Sequence, residues 1–313
     1  MAKSYYKFMK ICATLRSTWQ SIEAKNDRVA MTAKQKGIVF IILSAFLFAL
    51  MNLFVKMAVG VPPIQKAFFR NAGALIIASV ALFKQRRLVS LRFSVLPILF
   101  ARAFFGTVGI VCNFYALSQL ALSDAATLSK LAPFFVVLFS FIFLKEKLKL
   151  YHISSIIIAF FASLLIVKPS FAGKSYTTYA LIATFGSMGA GAAYTCIRAL
   201  SQKKVLGSLV VFFFSLISCL LMLPFSLYFW QPMSQVQIIY LIAASVTGAF
   251  AQFAVTTAYF HAPAKEISLY DYSQVIFASL MGFFFYHDVP DIYSIFGYVL
   301  IFLASLYMFL KKN

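Results

Sequence analysis

Four ionisable side chains stand well inside long apolar stretches of this 313-residue chain: Arg70, Arg102, Lys130 and Asp271. Each costs about 2.5 to 3.5 kcal/mol at the centre of a bilayer even on the lenient insertion scale, so each needs a partner or a polar cavity. At about 1.5 Å per helical residue, Lys130 lies about 9 Å inward of Asp124 and Arg70 about 10 Å inward of Pro63, with Arg102 and Asp271 about as deep from the opposite side. Asp271 is the one carboxylate of the four. Three buried cations against one acid predict a cavity that takes anionic or zwitterionic ligands, because a buried cation without a counter-charge is costly. For Lys130 and Asp271 the readings are contact with a ligand, proton coupling, or a static ion pair; snorkelling to the boundary is a further option for the lysine.

Catalytic chemistry has little to work with. The three histidines, His152, His261 and His287, have few carboxylates near them, and no His-Glu-x-x-His or phosphate-binding loop occurs. The expectation is a protein that is not an enzyme, with no metal and no cofactor, and without direct use of ATP. Cys112, Cys196 and Cys219 fall in apolar stretches and Cys12 in a basic tail, which leaves no extracellular disulfide framework.

The elements that position these residues must be membrane helices. Hydrophobic residues make up 62% of the chain and charged ones 12%, too few polar groups to cover a water-soluble fold. Ten runs have the length that spans about 30 Å of hydrocarbon: 37–59, 62–83, 95–117, 125–144, 150–167, 176–199, 208–229, 236–260, 264–286 and 292–310. The fold class is therefore an all-α integral membrane protein of ten transmembrane helices. A net charge of +20 could suggest nucleic acid, but the cations follow the membrane. Twenty Lys and Arg residues flank one face, including Arg86, Arg87, Lys147, Lys203 and Lys311, against Lys168 and Lys174 on the other. The positive-inside rule then puts both termini in the cytoplasm, in a plasma or inner membrane. Residues 1–36 form a basic tail with no signal-peptide core; either translation begins at Met31 or residues 5–15 lie on the membrane as an amphipathic segment.

The chain repeats itself at an offset of 142 residues, aligning Lys56 with Arg198, Gly106 with Gly248, Asp124 with Glu266 and Glu146 with Asp288. This divides it into a tail (1–36), a first five-helix repeat (37–167), a second (176–310) and a short terminus (311–313). Five crossings are an odd number, so the second repeat enters the membrane from the opposite face and the repeats are inverted. Inverted halves suit alternating access around a central site. The same register places Asp271 opposite Ser129, beside the counterpart of Lys130, and so suggests a Lys130–Asp271 pair.

The motifs Phe68-Phe69-Arg70, Arg102 to Gly106, Asn113-Phe114-Tyr115-Ala116-Leu117, Leu122-Ser123-Asp124-Ala125 and Phe143-Leu144-Lys145-Glu146-Lys147 resemble the drug/metabolite transporter superfamily, EamA type. The likeness covers residues 37–310. It implies a ten-helix alternating-access carrier whose cavity is lined mainly by helices 1, 3, 4, 6, 8 and 9, and structural or gating roles for Arg70 and Arg102.

Polar stripes at helical spacing fall on those six helices. Arg102, Gly106, Gly109 and Asn113 share one face of the third, and Ser187, Gly191, Tyr194 and Arg198 one face of the sixth. Gln252, Thr256 and Tyr259 follow on the eighth, Asn52 on the first, and Asp271, Tyr272 and Gln274 on the ninth. Tyr115, Tyr194, Tyr259 and Tyr272 are candidate aromatic walls, while Gly186, Gly189 and Gly191 fit close helix packing. Pro133 falls within the fourth helix as a hinge or a fixed bend. The partners expected are a small-molecule substrate, the bilayer and a coupling proton or ion; a homodimer is compatible with the chain, though nothing in it calls for one. A channel of the same fold, or less readily a receptor or scaffold, are the competing readings.

Overall fold

The computed structural model describes residues 32–84, 93–145, 150–167, 174–262, 267 and 270–310. The tail before residue 32, the terminus 311–313, the loop cations Arg86, Arg87, Lys147, Lys168 and Lys311, and the acids Glu146 and Glu266 lie outside them. Among the described residues there are helices and no strand.

Among the described residues eleven α-helices have defined bounds, in order: α1 Ala33–Met57, α2 Pro63–Lys84, α3 Leu96–Leu117, α4 Leu122–Ser129, α5 Ala132–Leu144, α6 Leu150–Val167, α7 Lys174–Gln202, α8 Gly207–Tyr228, α9 Gln235–His261, α10 Ser273–Tyr286 and α11 Ile292–Leu310. Seven spans are long and apolar enough to cross a membrane, with α4 and α5 counted as one, and three shorter apolar helices stand in α6, α10 and α11. Ile76, Phe185, Ile239 and Phe284 are each more than half exposed, as side chains facing lipid must be.

Local sequence sets the ends. Thr32 and Gln35 form a capping box at the start of α1, and Ser234 and Gln237 repeat it on α9. At the other end of α1, the Lys66 ammonium donates to the Val55 carbonyl, where a cation completes the helix terminus.

The fourth and ninth runs differ from the sequence expectation. The fourth is two helices, α4 and α5, joined by a tight turn at Lys130 and Leu131. Pro133 is the second residue of α5, where its missing N–H matters least, so it begins a helix instead of kinking the middle of one. The ninth run is helical at Tyr270 and Asp271, turns at Tyr272 and resumes as α10, with no proline at all. Lys130 and Tyr272 are repeat counterparts. So are Lys145 and His287, the left-handed caps of α5 and α10, which share φ 55°.

The broadest interfaces all join the two halves, and they come in exchanged pairs. Helix α1 packs on α9 as α7 packs on α3, α1 on α10 as α7 on α5, and α2 on α9 as α8 on α3. The helices α2 and α8, and α6 and α11, pair with their own counterparts. A two-fold axis between repeats produces this pattern. The α3–α7 contact is backbone on backbone: a Cβ on Gly109 would stand 3.1 Å from the Gly186 carbonyl oxygen, and one on Gly189 3.0 Å from that of Phe105. The glycines of α7 thus serve packing, as small residues commonly do between membrane helices.

Candidate functional site

A cavity of about 110 Å³ lies between the halves where the two helix breaks meet. There the Lys130 ammonium contacts Asp271 Oδ2 at 2.7 Å, with the lysine side chain 5% and the aspartate 16% exposed. The breaks create this geometry. Leu131 N–H bonds back to Leu128 and Phe134 N–H to Leu131, while Pro133 has no N–H, so the Lys130 carbonyl receives nothing from its own helix. Tyr272 Oη donates to it at 3.0 Å.

Arg70 and Arg102 form the opposite chemistry of the same cavity. Both are almost wholly buried, at 1% and 2% exposure. Both lie over the Phe214 ring, with guanidinium carbons 5.8 and 4.0 Å from its centroid. Arg70 donates to Asn71 Oδ1 at 2.5 Å and to the Gly248 carbonyl at 3.1 Å. Among the described residues neither Nε has a partner and no carboxylate pairs with either guanidinium. Asn113 donates to Asn52 Oδ1 at 3.3 Å across α1 and α3, and Gln252 to Thr256 Oγ1 at 3.3 Å. All but Thr256 of these four line the cavity.

Further contacts between the repeats lie outside the cavity lining. The Lys56 ammonium reaches Asp288 Oδ2 at 3.2 Å and the Leu120 carbonyl at 3.0 Å, over the Tyr286 ring. Nearby, Asp124 accepts hydrogen bonds from the phenols of Tyr176 and Tyr298. These contacts join both repeats.

A family model for EamA-like transporters matches the chain twice, over residues 35–168 and 177–310. The chain belongs to the EamA-like transporter family. A pseudopaline exporter, CntI, of Pseudomonas aeruginosa is 32% identical over 284 residues, covering 87% of this EamA-like chain and 95% of the exporter. Solute carrier family 35 member G1 of the mouse is 27% identical over 278 residues, covering 83% and 74% respectively. A solved crystal structure superposes with a TM-score of 0.65 over 88% of this chain and 96% of its own, at 14% identity, which shows a shared fold. The drug/metabolite transporter likeness read from the motifs is thereby established, and the protein is a multi-pass membrane transporter by family.

The EamA-like cavity gathers Lys130, Asp271, Asn52, Asn113, Tyr194 and Gln252 from six separate elements. Tyr259 stands behind the lining, stacked on Tyr194 with centroids 5.2 Å apart, and Tyr272 is buried against Lys130. Tyr115 is 38% exposed and stands outside the lining. Two residues past Asn113 on a helix is most of the way to the opposite face, so the stripe that carries Asn113 excludes it. Arg198 is half-buried and also outside the lining.

One contributor was missed: Phe214 on α8, which underlies both arginines. Arg70, singled out from the sequence, reaches the lining from α2; neither α2 nor α8 is among the six helices that the resemblance marks as the main lining. Phe214 is one of 37 phenylalanines and carries no polar signal. The only hint was that two buried guanidiniums without acids need an aromatic face.

Proposed function

We propose that this protein is a secondary transporter that moves a small anionic or zwitterionic metabolite by alternating access around the central cavity, driven by a proton or ion gradient or by exchange. Lys130 and Asp271 are its substrate or coupling residues, Asn52, Asn113, Tyr194 and Gln252 complete the binding surface, and Tyr259 and Tyr272 support it. The observation that carries the reading is the Lys130–Asp271 pair, which links the two repeats at the meeting of two helix breaks. Broken helices at the repeat interface are where secondary transporters place their ligands. The cavity also holds three cations to one acid among the described residues, a balance that a ligand anion corrects. The related protein of Pseudomonas aeruginosa is named an exporter, of pseudopaline, which supports a transport reading for this site. The protein sits in a plasma or inner membrane with both termini cytoplasmic, and the Lys56–Asp288 contact closes the outer side.

The test is counterflow in proteoliposomes loaded with metabolites drawn from comparative metabolomics of cells that lack or overproduce the protein. Saturable exchange that is lost in Lys130→Ala and Asp271→Asn, both at normal expression, is expected. Normal transport in both variants would sink the assignment, and flux that does not saturate would favour a channel.

A further inference from the structure

The two arginines have no counterpart in each other's repeat, yet each is housed by a glycine that does. A Cβ on Gly106 would stand 2.1 Å from Arg102 Nη1 and 2.8 Å from Phe214. A Cβ on Gly248 would stand 2.9 Å from Arg70 Nε and 2.7 Å from Met51 Sδ. Gly106 and Gly248 are 142 residues apart, the repeat offset. The fold therefore keeps two symmetric recesses at the cavity wall, and both are filled by guanidinium groups. Burying two like charges over one ring is unfavourable unless something offsets them. Phe214 offsets part, by cation–π attraction. Asp271 is engaged by Lys130, and among the described residues no other acid lines the cavity.

We infer that Arg70 and Arg102 form a head-group subsite, in which the oxyanion of the transported metabolite, a carboxylate or a phosphate, is held by two guanidiniums backed by Phe214. The assignment rests on the transporter reading above and deepens it. Arginine presents planar paired donors that match both oxyanions, and among the described residues the buried Nε–H groups of Arg70 and Arg102 have no partner. The cavity lining carries two more positive than negative groups, so a dianion is preferred to a monoanion. At about 110 Å³ the space fits a small head group more readily than a drug-sized ligand.

The experiment is thermal unfolding of the purified full-length protein with succinate, glycerol 3-phosphate, acetate or choline at matched ionic strength. One or both dianions should raise the melting temperature saturably, the succinate and phosphate arms telling carboxylate from phosphate. Acetate should need at least about tenfold more, choline should do nothing, and Arg102→Gln should weaken the dianion by about tenfold or more. Arg102→Lys should keep part of the effect. If Arg102→Gln does not fold, the wild-type protein serves: the dianion should slow phenylglyoxal modification of Arg102. No effect of either dianion, or an unchanged affinity in Arg102→Gln, overturns the subsite even if counterflow is intact. Dianion binding without any flux would instead sink transport and leave the subsite standing.

Discussion

The Tyr272 phenol donates a 3.0 Å hydrogen bond to the carbonyl oxygen of Lys130, and the two residues occupy the same position in the two repeats, 142 residues apart. One break in a helix is thus completed by the side chain at the other break. Tyr272→Phe leaves a buried carbonyl without a donor, which costs about 1 to 3 kcal/mol. The expected result is a lower melting temperature in detergent, with the ion pair intact and transport reduced by less than in Lys130→Ala.

Removing one member of the Lys130–Asp271 pair strands a buried charge and costs about 3 to 5 kcal/mol, whereas replacing both by apolar residues is near neutral. Lys130→Met with Asp271→Leu should therefore unfold at a higher temperature than Lys130→Met or Asp271→Leu alone. Counterflow should stay absent in all three variants. Recovery of flux in the double variant would mark the pair as purely structural.

Pro133→Ala should retain most of the transport rate. The matching break at Tyr272 forms with no proline, and the ion pair and the phenol bond hold both breaks together. Loss of flux at unchanged stability would restore a hinge role to the proline.

Lys56 joins Asp288, the Leu120 carbonyl and the Tyr286 ring. In the orientation proposed above, Lys56→Ala should loosen the outer side. With a cysteine placed at Asn52, labelling by an impermeant maleimide from outside should accelerate several-fold over the same cysteine in the Lys56-containing protein. Equal rates would show that other contacts, among them Asp124 with its two tyrosines, keep that side shut.

Much of this was legible in the residues because membranes punish exceptions. Ten apolar runs, a 142-residue repeat register and four isolated charges each report a strong energetic constraint, and Lys130 and Asp271 are joined in the structure as that register suggested. The helix breaks were less legible. Pro133 announced one of them but not its position within the helix, and Tyr272 announced nothing, since a turn held by a neighbour's carbonyl leaves no local signature. Tyr115 was grouped by residue type and not by angle around its helix. Phe214 was hidden because one more aromatic in an aromatic-rich chain is silent until an arginine is seen to rest on it.

The distribution of charge around the cavity has a consequence for how such a chain is put together. Its cations Arg70, Arg102 and Lys130 all come from the first half and its acid Asp271 from the second. Two copies of the first half would face each other with cations alone, and two copies of the second with acids alone. Neither half can therefore replace the other as a self-paired unit, however alike their backbones, and a gene cut between residues 167 and 176 should regain activity only when both fragments are supplied together.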